Sequence, residues 1–275
     1  MKELIIIAAL IAVYLYMIMP RLFHRPDMLP MRERFYAHRG LFDNDSDAPE
    51  NSLEAFARAI KAGCGIEFDI HLSKDGIPVV FHDFRLKRVT GEEGCVEDYT
   101  LAQLQTFRLF HSQQTIPTLQ QVLDLVHGQV PLLIEYKTEN LDVDVCPKSE
   151  ELLSRYQGVY CIESFNPLAL LWYRRNKPGI VRGQLSDGFL HFREFRKLHK
   201  FPFSFLLENL MANCISRPDF VAYNIRYKNN ISRRLYRNLF RGKSAAWTIK
   251  NGEQLKKAAR SFDVFIFDSF VPDRL

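Results

Sequence analysis

A chain of 275 residues, 47% hydrophobic and 25% charged, can bury one large core or two small ones. That composition excludes a disordered polypeptide. The net charge of +5 is modest but uneven: residues 189–243 hold twelve Lys/Arg against three Asp/Glu. The tilt points to an anionic partner: nucleic acid, a membrane surface or a phosphorylated substrate.

The first element is apolar. Leu4 to Met19 carries no charge, and Pro20 and Arg21 close the run. As a helix it reaches about 25 Å, the short end for a bilayer span. A cleavable signal peptide is the rival reading, but it requires small residues at its exit, and the exit here is the bulky YMIMPRLF. We therefore expect an N-terminal transmembrane helix with a juxtamembrane linker over residues 1–32, contacting the membrane through residues 4–20. Lys2 is offset by Glu3, whereas Arg21, Arg25, Arg32 and Arg34 follow the run. The positive-inside rule then places the body, residues 33–275, in the cytoplasm. Cys64, Cys95, Cys146, Cys161 and Cys214 lack metal-type spacing and fit reduced thiols.

Within the body, short β-like runs alternate with amphipathic helices. A strand at 35–38 precedes a helix over 51–63, where Leu53, Phe56, Ala57 and Ile60 share a face and Gly63 ends it. A strand at 65–72 follows. Residues 73–117 break the alternation and read as an insertion with its own hairpin-like segment. Then come a helix at 118–128, a strand at 131–137, a helix near 148–156, a strand at 158–165 and a helix at 167–176. Strands at 180–187, 219–224, 245–250 and 264–269 complete the chain, with a helical segment before each of the last three. Eight strands in β-α order close most naturally into a (β/α)8 TIM barrel with an insertion after strand 2. A doubly wound open sheet is the alternative, but the chain lacks a glycine-rich dinucleotide fingerprint.

Side chains alternate along a strand. In IEFDIHL, Ile66, Phe68, Ile70 and Leu72 share the face that packs on helices, leaving Glu67, Asp69 and His71 on the other. Buried carboxylates need positive charge, and a hard divalent cation prefers oxygen ligands. LLIEYK repeats the pattern, with Glu135 and Lys137 on one face. A single strand glutamate is usually solvated or salt-bridged; several converging at the active end of neighbouring barrel strands point to a site. His38, ending strand 1 in AHRG, and His82, in VVFHD, are candidate acid and base. His24, His71, His111, His127, His191 and His199 lack a comparable setting, although His71 shares the inward face.

In order along the chain, AHRG, PENSLEAFARAIKAG, IEFDIHLSKDGIPVVFHD, RVTGEEGCVEDYTLAQL, IPTLQQVL, LLIEYK, ESFNP and AAWTI resemble the glycerophosphodiester phosphodiesterase family over about residues 34–270. The resemblance implies a (β/α)8 barrel with an insertion after strand 2, and metal-dependent hydrolysis of glycerophosphodiesters to glycerol 3-phosphate and an alcohol. It implies that His38 and His82 are the acid/base pair and that Glu67, Asp69 and Glu135 hold one divalent cation, Mg²⁺ or Ca²⁺. Arg39 and Lys137 would bind the phosphate, Glu50 would lie near the metal, and Phe165 and Trp247 would line the substrate pocket. It further suggests attack by the glycerol 2-hydroxyl, giving a cyclic phosphate that water opens. Two positions depart from the family pattern. Ser52 replaces the usual threonine and keeps a hydroxyl at the expected helix cap, while Phe267 stands where a polar neighbour of Asp268 is common.

An anchored enzyme suggests lipid-derived diesters, hence a lysophospholipase D-like alternative. The stretch 189–210, with Phe interleaved among Arg and Lys, fits either an ordinary barrel helix or a membrane-docking surface. A catalytically silent barrel that binds phospholipid head groups is a third reading, opposed by the intact acid/base and metal residues. Nothing in the basic region resembles a nucleic-acid recognition motif.

Overall fold

The computed structural model describes residues 1–32, 34–138, 141–193, 196–197 and 200–273. Glu33, at the expected domain start, and His199 lie outside them. Among the described residues the strands are β1 (Phe35–His38), β2 (Gly65–Leu72), β3 (Pro78–Val80), β4 (Leu132–Tyr136), β5 (Tyr160–Ser164), β6 (Arg182–Ser186), β7 (Phe220–Asn224), β8 (Lys243–Ile249) and β9 (Val264–Phe267). The helices are α1 (Lys2–Ile18), α2 (Leu53–Lys61), α3 (Lys87–Thr90), α4 (Leu101–Leu104), α5 (Leu119–Val126), α6 (Val145–Leu153), α7 (Pro167–Asn176), α8 (Phe201–Glu208), α9 (Asn213–Ser216), α10 (Ile231–Asn238) and α11 (Gly252–Ala258).

β1 pairs in parallel with both β2 and β9, and the chain of parallel pairs β2-β4-β5-β6-β7-β8-β9 closes the circle. The product is the expected eight-stranded parallel barrel with helices around it. β3 pairs antiparallel with β2 as a hairpin outside the circle. Three apolar clusters follow from the period-2 alternation. Ile66, Phe68 and Ile70 pack outward under the helices with Phe56 and Val122. Tyr36, Leu133, Cys161, Phe220 and Ala245 belong to a separate cluster that fills the barrel itself. Val79, Phe81, Leu86, Leu104 and Ile116 give the insertion its own small core, which is why it stands as a structured cap and not a loose loop.

Local signals explain the helix starts. Ser52 accepts a hydrogen bond from the Ala55 N–H at 3.1 Å and caps α2. Thr118 and Gln121 form a reciprocal capping box at α5. α6 begins three residues before the expected 148, because Pro147 is tolerated within a first helical turn, where its N–H has no partner to lose.

The expected transmembrane helix requires correction. α1 forms, but it is 17 residues long, and among the described residues no helix is long and apolar enough to cross a membrane. Its last turn is also bound to the barrel. Asn213 donates to the Ile18 carbonyl at 3.0 Å, and Arg217 donates to the carbonyls of Tyr16 and Met19 at 2.9 and 3.2 Å. Ile18 is fully buried. Only residues 1–13 are exposed throughout.

Candidate active site

The register of the barrel assembles the acidic residues. His38 of β1 stands beside Glu67 of β2, Asp69 of β2 beside Glu135 of β4, and Glu135 beside Glu163 of β5. His38, Glu135 and Glu163 lie at the carboxyl ends of their strands, where barrel enzymes place their chemistry, and the register brings Glu67 and Asp69 of the longer β2 to the same level. The carboxylates of Glu67, Asp69 and Glu135 are buried and bring one oxygen each within 4.8 Å of the others. Glu67 and Glu135 border a cavity of about 450 Å³ whose lining includes His38, Arg39, Glu50, His82, Lys137 and Trp247. Nine of the ten residues expected from the sequence line that one cavity. The tenth, Asp69, sits immediately behind, bound by Lys137 at 2.9 Å and Asn51 at 2.9 Å.

The turn after β1 shows why AHRG has its form. Arg39 adopts a left-handed φ of 57°, and its N–H donates to Glu67 Oε2 at 2.9 Å. Gly40 follows at φ 82°, and a Cβ there would lie 2.9 Å from Ala55 and Phe56. Only glycine meets both demands. Asn51, also left-handed, donates its N–H to the Arg39 carbonyl at 3.0 Å, which closes the turn beneath the site.

Each histidine has an aspartate at Nδ1. His82 Nδ1 lies 2.6 Å from Asp83, and His38 Nδ1 lies 3.4 Å from Asp268. That leaves Nε2 of each ring for a substrate. Burial and the neighbouring Arg39 push His38 down to about 4, against the opposing pull of Asp268. Burial also lowers His82, with Lys137 adding to the effect and Asp69 and Asp83 opposing it. Both shifts favour the neutral ring.

The carboxyls show the converse. Burial and the surrounding carboxylates push Glu67 well up, and burial with Asp69 raises Glu135 to about 7 despite Lys137. Burial and the charges of Glu67 and Glu135 likewise raise Glu163. Of the proposed ligands only Asp69 is held down: Lys137, His82 and Arg39 outweigh its burial. The site thus holds more buried acid than its own cations neutralise. This excess, with three oxygen donors in reach of one point, fits a hard divalent cation at Glu67, Asp69 and Glu135.

Arg39 and Lys137, expected on the phosphate, are also engaged with the acids. Arg39 donates to Glu50 at 2.9 Å, and Lys137 donates to Glu135 at 2.6 Å. Phe165 and Trp247 meet edge to face at 5.8 Å and form the apolar wall. The Trp247 indole N–H is buried without a partner among the described residues. His71 lines a different cavity; it packs on Phe84 and places Nε2 3.4 Å from the His82 carbonyl.

Sequence reasoning missed four contributors. Glu163 is 1% exposed, its Oε2 has no partner among the described residues, and its parity with Phe165 in ESF already placed it inward. Asp83 stands next to His82. Asp268, whose neighbour Phe267 departs from the family pattern, is the group at His38. Arg88 had no local signal: it donates to Glu50 at 2.6 and 3.0 Å and to Asp83 at 2.6 and 2.9 Å.

Comparison with known proteins points the same way. The glycerophosphoryl diester phosphodiesterase family profile matches residues 38–261. A glycerophosphodiester phosphodiesterase of Bacillus altitudinis is 39% identical over 171 residues, covering 58% of this chain and 68% of that protein. Another, from Caldanaerobacter subterraneus subsp. tengcongensis, is 32% identical over 168 residues, covering 56% and 67%. Among solved structures, an Oleispira antarctica phosphodiesterase in complex with the product sn-glycerol-3-phosphate is 25% identical, with a TM-score of 0.66 over 86% of this chain and 92% of that one. A glycerophosphodiester phosphodiesterase from Thermotoga maritima is 26% identical, with a TM-score of 0.62 over 85% and 93%. With the profile spanning most of its length, the chain belongs to the glycerophosphoryl diester phosphodiesterase family.

Proposed function

We propose that this protein hydrolyses glycerophosphodiesters to glycerol 3-phosphate and an alcohol, with His38 and His82 as the acid/base pair. The observation that carries the proposal is the convergence on one cavity of two histidines, each with an aspartate at Nδ1, and a buried three-carboxylate cluster. The named relatives and the glycerol 3-phosphate complex of the Oleispira enzyme support the substrate class.

Held by Glu67, Asp69 and Glu135, Mg²⁺ or Ca²⁺ would supply positive charge against the non-bridging phosphate oxygens. Arg39 and Lys137, on the cavity wall, add to that field and position the diester. One imidazole Nε2 accepts the proton of the glycerol 2-hydroxyl as that oxygen attacks phosphorus. The other Nε2 protonates the departing alcohol, leaving a cyclic phosphate. The two rings exchange roles when water opens the ring. Burial favours the neutral ring, the form that serves as base; the anionic diester between them favours an imidazolium and so furnishes the acid. Asp268 and Asp83 hold the rings with Nε2 toward the cavity.

The test is product analysis with glycerophosphocholine, with and without EDTA. Metal-restored release of glycerol 3-phosphate is expected. Absence of product with every divalent cation tried leaves the silent head-group-binding barrel as the better reading.

A further inference from the structure

A large apolar surface that the chemistry does not use lies at the catalytic end of the barrel. α1 shows the direction. Arg21, just past it, is held at the entrance of β7, its N–H donating to Pro218 at 3.0 Å and its guanidinium 3.8 Å from Asp219. Earlier in the helix, the Tyr14 hydroxyl lies 2.7 Å from Ser232, in the first turn of α10, beyond the exit of β7. α1 therefore climbs from the entrance of the strands toward their exit, and residues 1–13 project past the catalytic end. Leu4 to Val13 has no polar side chain, and Leu4, Ile6, Leu10 and Val13 are 57–70% exposed. A helix apolar on every face requires an apolar medium. Its ten residues reach about 15 Å, half of a hydrocarbon core of about 30 Å.

A second element stands at the same end. α8 lies over the exits of β6 and β7: Ser186 donates to the Leu207 carbonyl at 2.8 Å, and Tyr223 donates to the Glu208 carbonyl at 2.8 Å. Its Phe201, Phe203 and Phe205 are 40–54% exposed. Phe189, shortly before it, packs at 5.8 Å on Phe165 of the cavity wall, so this ledge continues into the site. Arg193, Arg196, Lys197 and Lys200 are exposed between them, against Glu194 and Glu208 in residues 189–210.

Aromatics and cations at the rim, with an apolar helix one leaflet long beside them, match an anionic lipid surface. We infer that the catalytic end docks on an anionic phospholipid membrane through the exposed Leu4–Val13 segment and the α8 phenylalanines, the latter at the headgroup boundary. The cavity then opens toward the lipid, and its diesters are those whose glycerol carries an acyl chain, such as lysophospholipids, the head-group alcohol being the leaving group. The anionic cytoplasmic leaflet supplies the required charge. This rests on the hydrolase reading above.

The test uses the full chain and vesicles of equal phosphatidylglycerol and phosphatidylcholine, or of phosphatidylcholine alone. Flotation with the anionic vesicles is expected, weakened by about tenfold in neutral ones. Leu10→Asp and Phe203→Asp, both at exposed positions, should each cut flotation and turnover of vesicle-borne lysophosphatidylcholine by about tenfold or more, with glycerophosphocholine turnover unchanged. Protein that stays out of the vesicle fraction overturns the docking, as does a concentration-dependent dimer that excludes vesicles. Sensitivity to Leu10→Asp alone refutes docking through α8. Intact flotation with no turnover of either diester defeats the hydrolase reading and leaves the docking in place.

Discussion

Arg88 of the insertion and Glu50 of the β1–α2 loop are joined by two hydrogen bonds, at 2.6 and 3.0 Å, across 38 residues of sequence. The other edge of the same guanidinium holds Asp83, the partner of His82. One side chain therefore ties the insertion, His82, proposed as acid or base, and, through Glu50, Arg39 into a single unit. Arg88→Ala leaves Glu50, 4% exposed, with a smaller set of donors. The loss of charged hydrogen bonds costs on the order of 1–3 kcal/mol, toward the lower end because Arg88 is half exposed. We expect kcat to fall at least about tenfold through misplacement of His82. Steady-state kinetics with a thermal melt check both parts.

His38→Ala and His82→Ala should each lower kcat by about 10²–10⁴ while circular dichroism stays unchanged. Activity within a few-fold of the parent removes that ring from acid/base work.

Asp268→Asn tests the contact at His38. The carboxylate favours the imidazolium, opposing the burial that brings His38 down to about 4. Its loss should lower kcat more than it changes KM, and should move the acidic limb of the pH profile downward. An unchanged profile would mean that Asp268 does not act through His38.

Glu67→Gln removes one proposed oxygen donor. The divalent-cation concentration giving half-maximal activity should rise at least about tenfold, and direct calorimetric titration of the metal should weaken in parallel. Identical titrations for the two proteins exclude Glu67 from the ligand set.

Acid stability has a definite sign. Against its burial, Asp83 is held below the usual carboxylate range by His82 and Arg88, and Glu50 by Arg88 and Arg39. Their stabilisation is complete above the unfolded values of about 3.9 and 4.3, and is lost as pH falls through the lower folded values. Melting temperatures from pH 6 to pH 2 should fall less steeply in Asp83→Asn than in the parent. Parallel curves would show that Asp83 adds nothing to acid sensitivity.

Much of the site was legible because strand periodicity is a local property. Glu67 and Asp69 must share a face two residues apart, and so must Glu135 and Lys137. The same rule read onward from Phe165 reaches Glu163. α1 was misjudged for the opposite reason: its composition is that of a span, but Asn213 and Arg217, some 200 residues away, hold its last turn against the barrel.

The sequence by itself determined the β-α alternation, the inward acids, the two histidines and the family. Each follows from side-chain parity, helix period or motif order, which involve neighbours in the chain. Only the tertiary structure decided that Asp268 meets His38 across 230 residues, that Arg88 joins Glu50 to Asp83, and that α1 leaves the barrel at its catalytic end. Those relations depend on barrel closure and on how the insertion and α1 pack against it. Contacts of that range have no periodic signature in a single sequence.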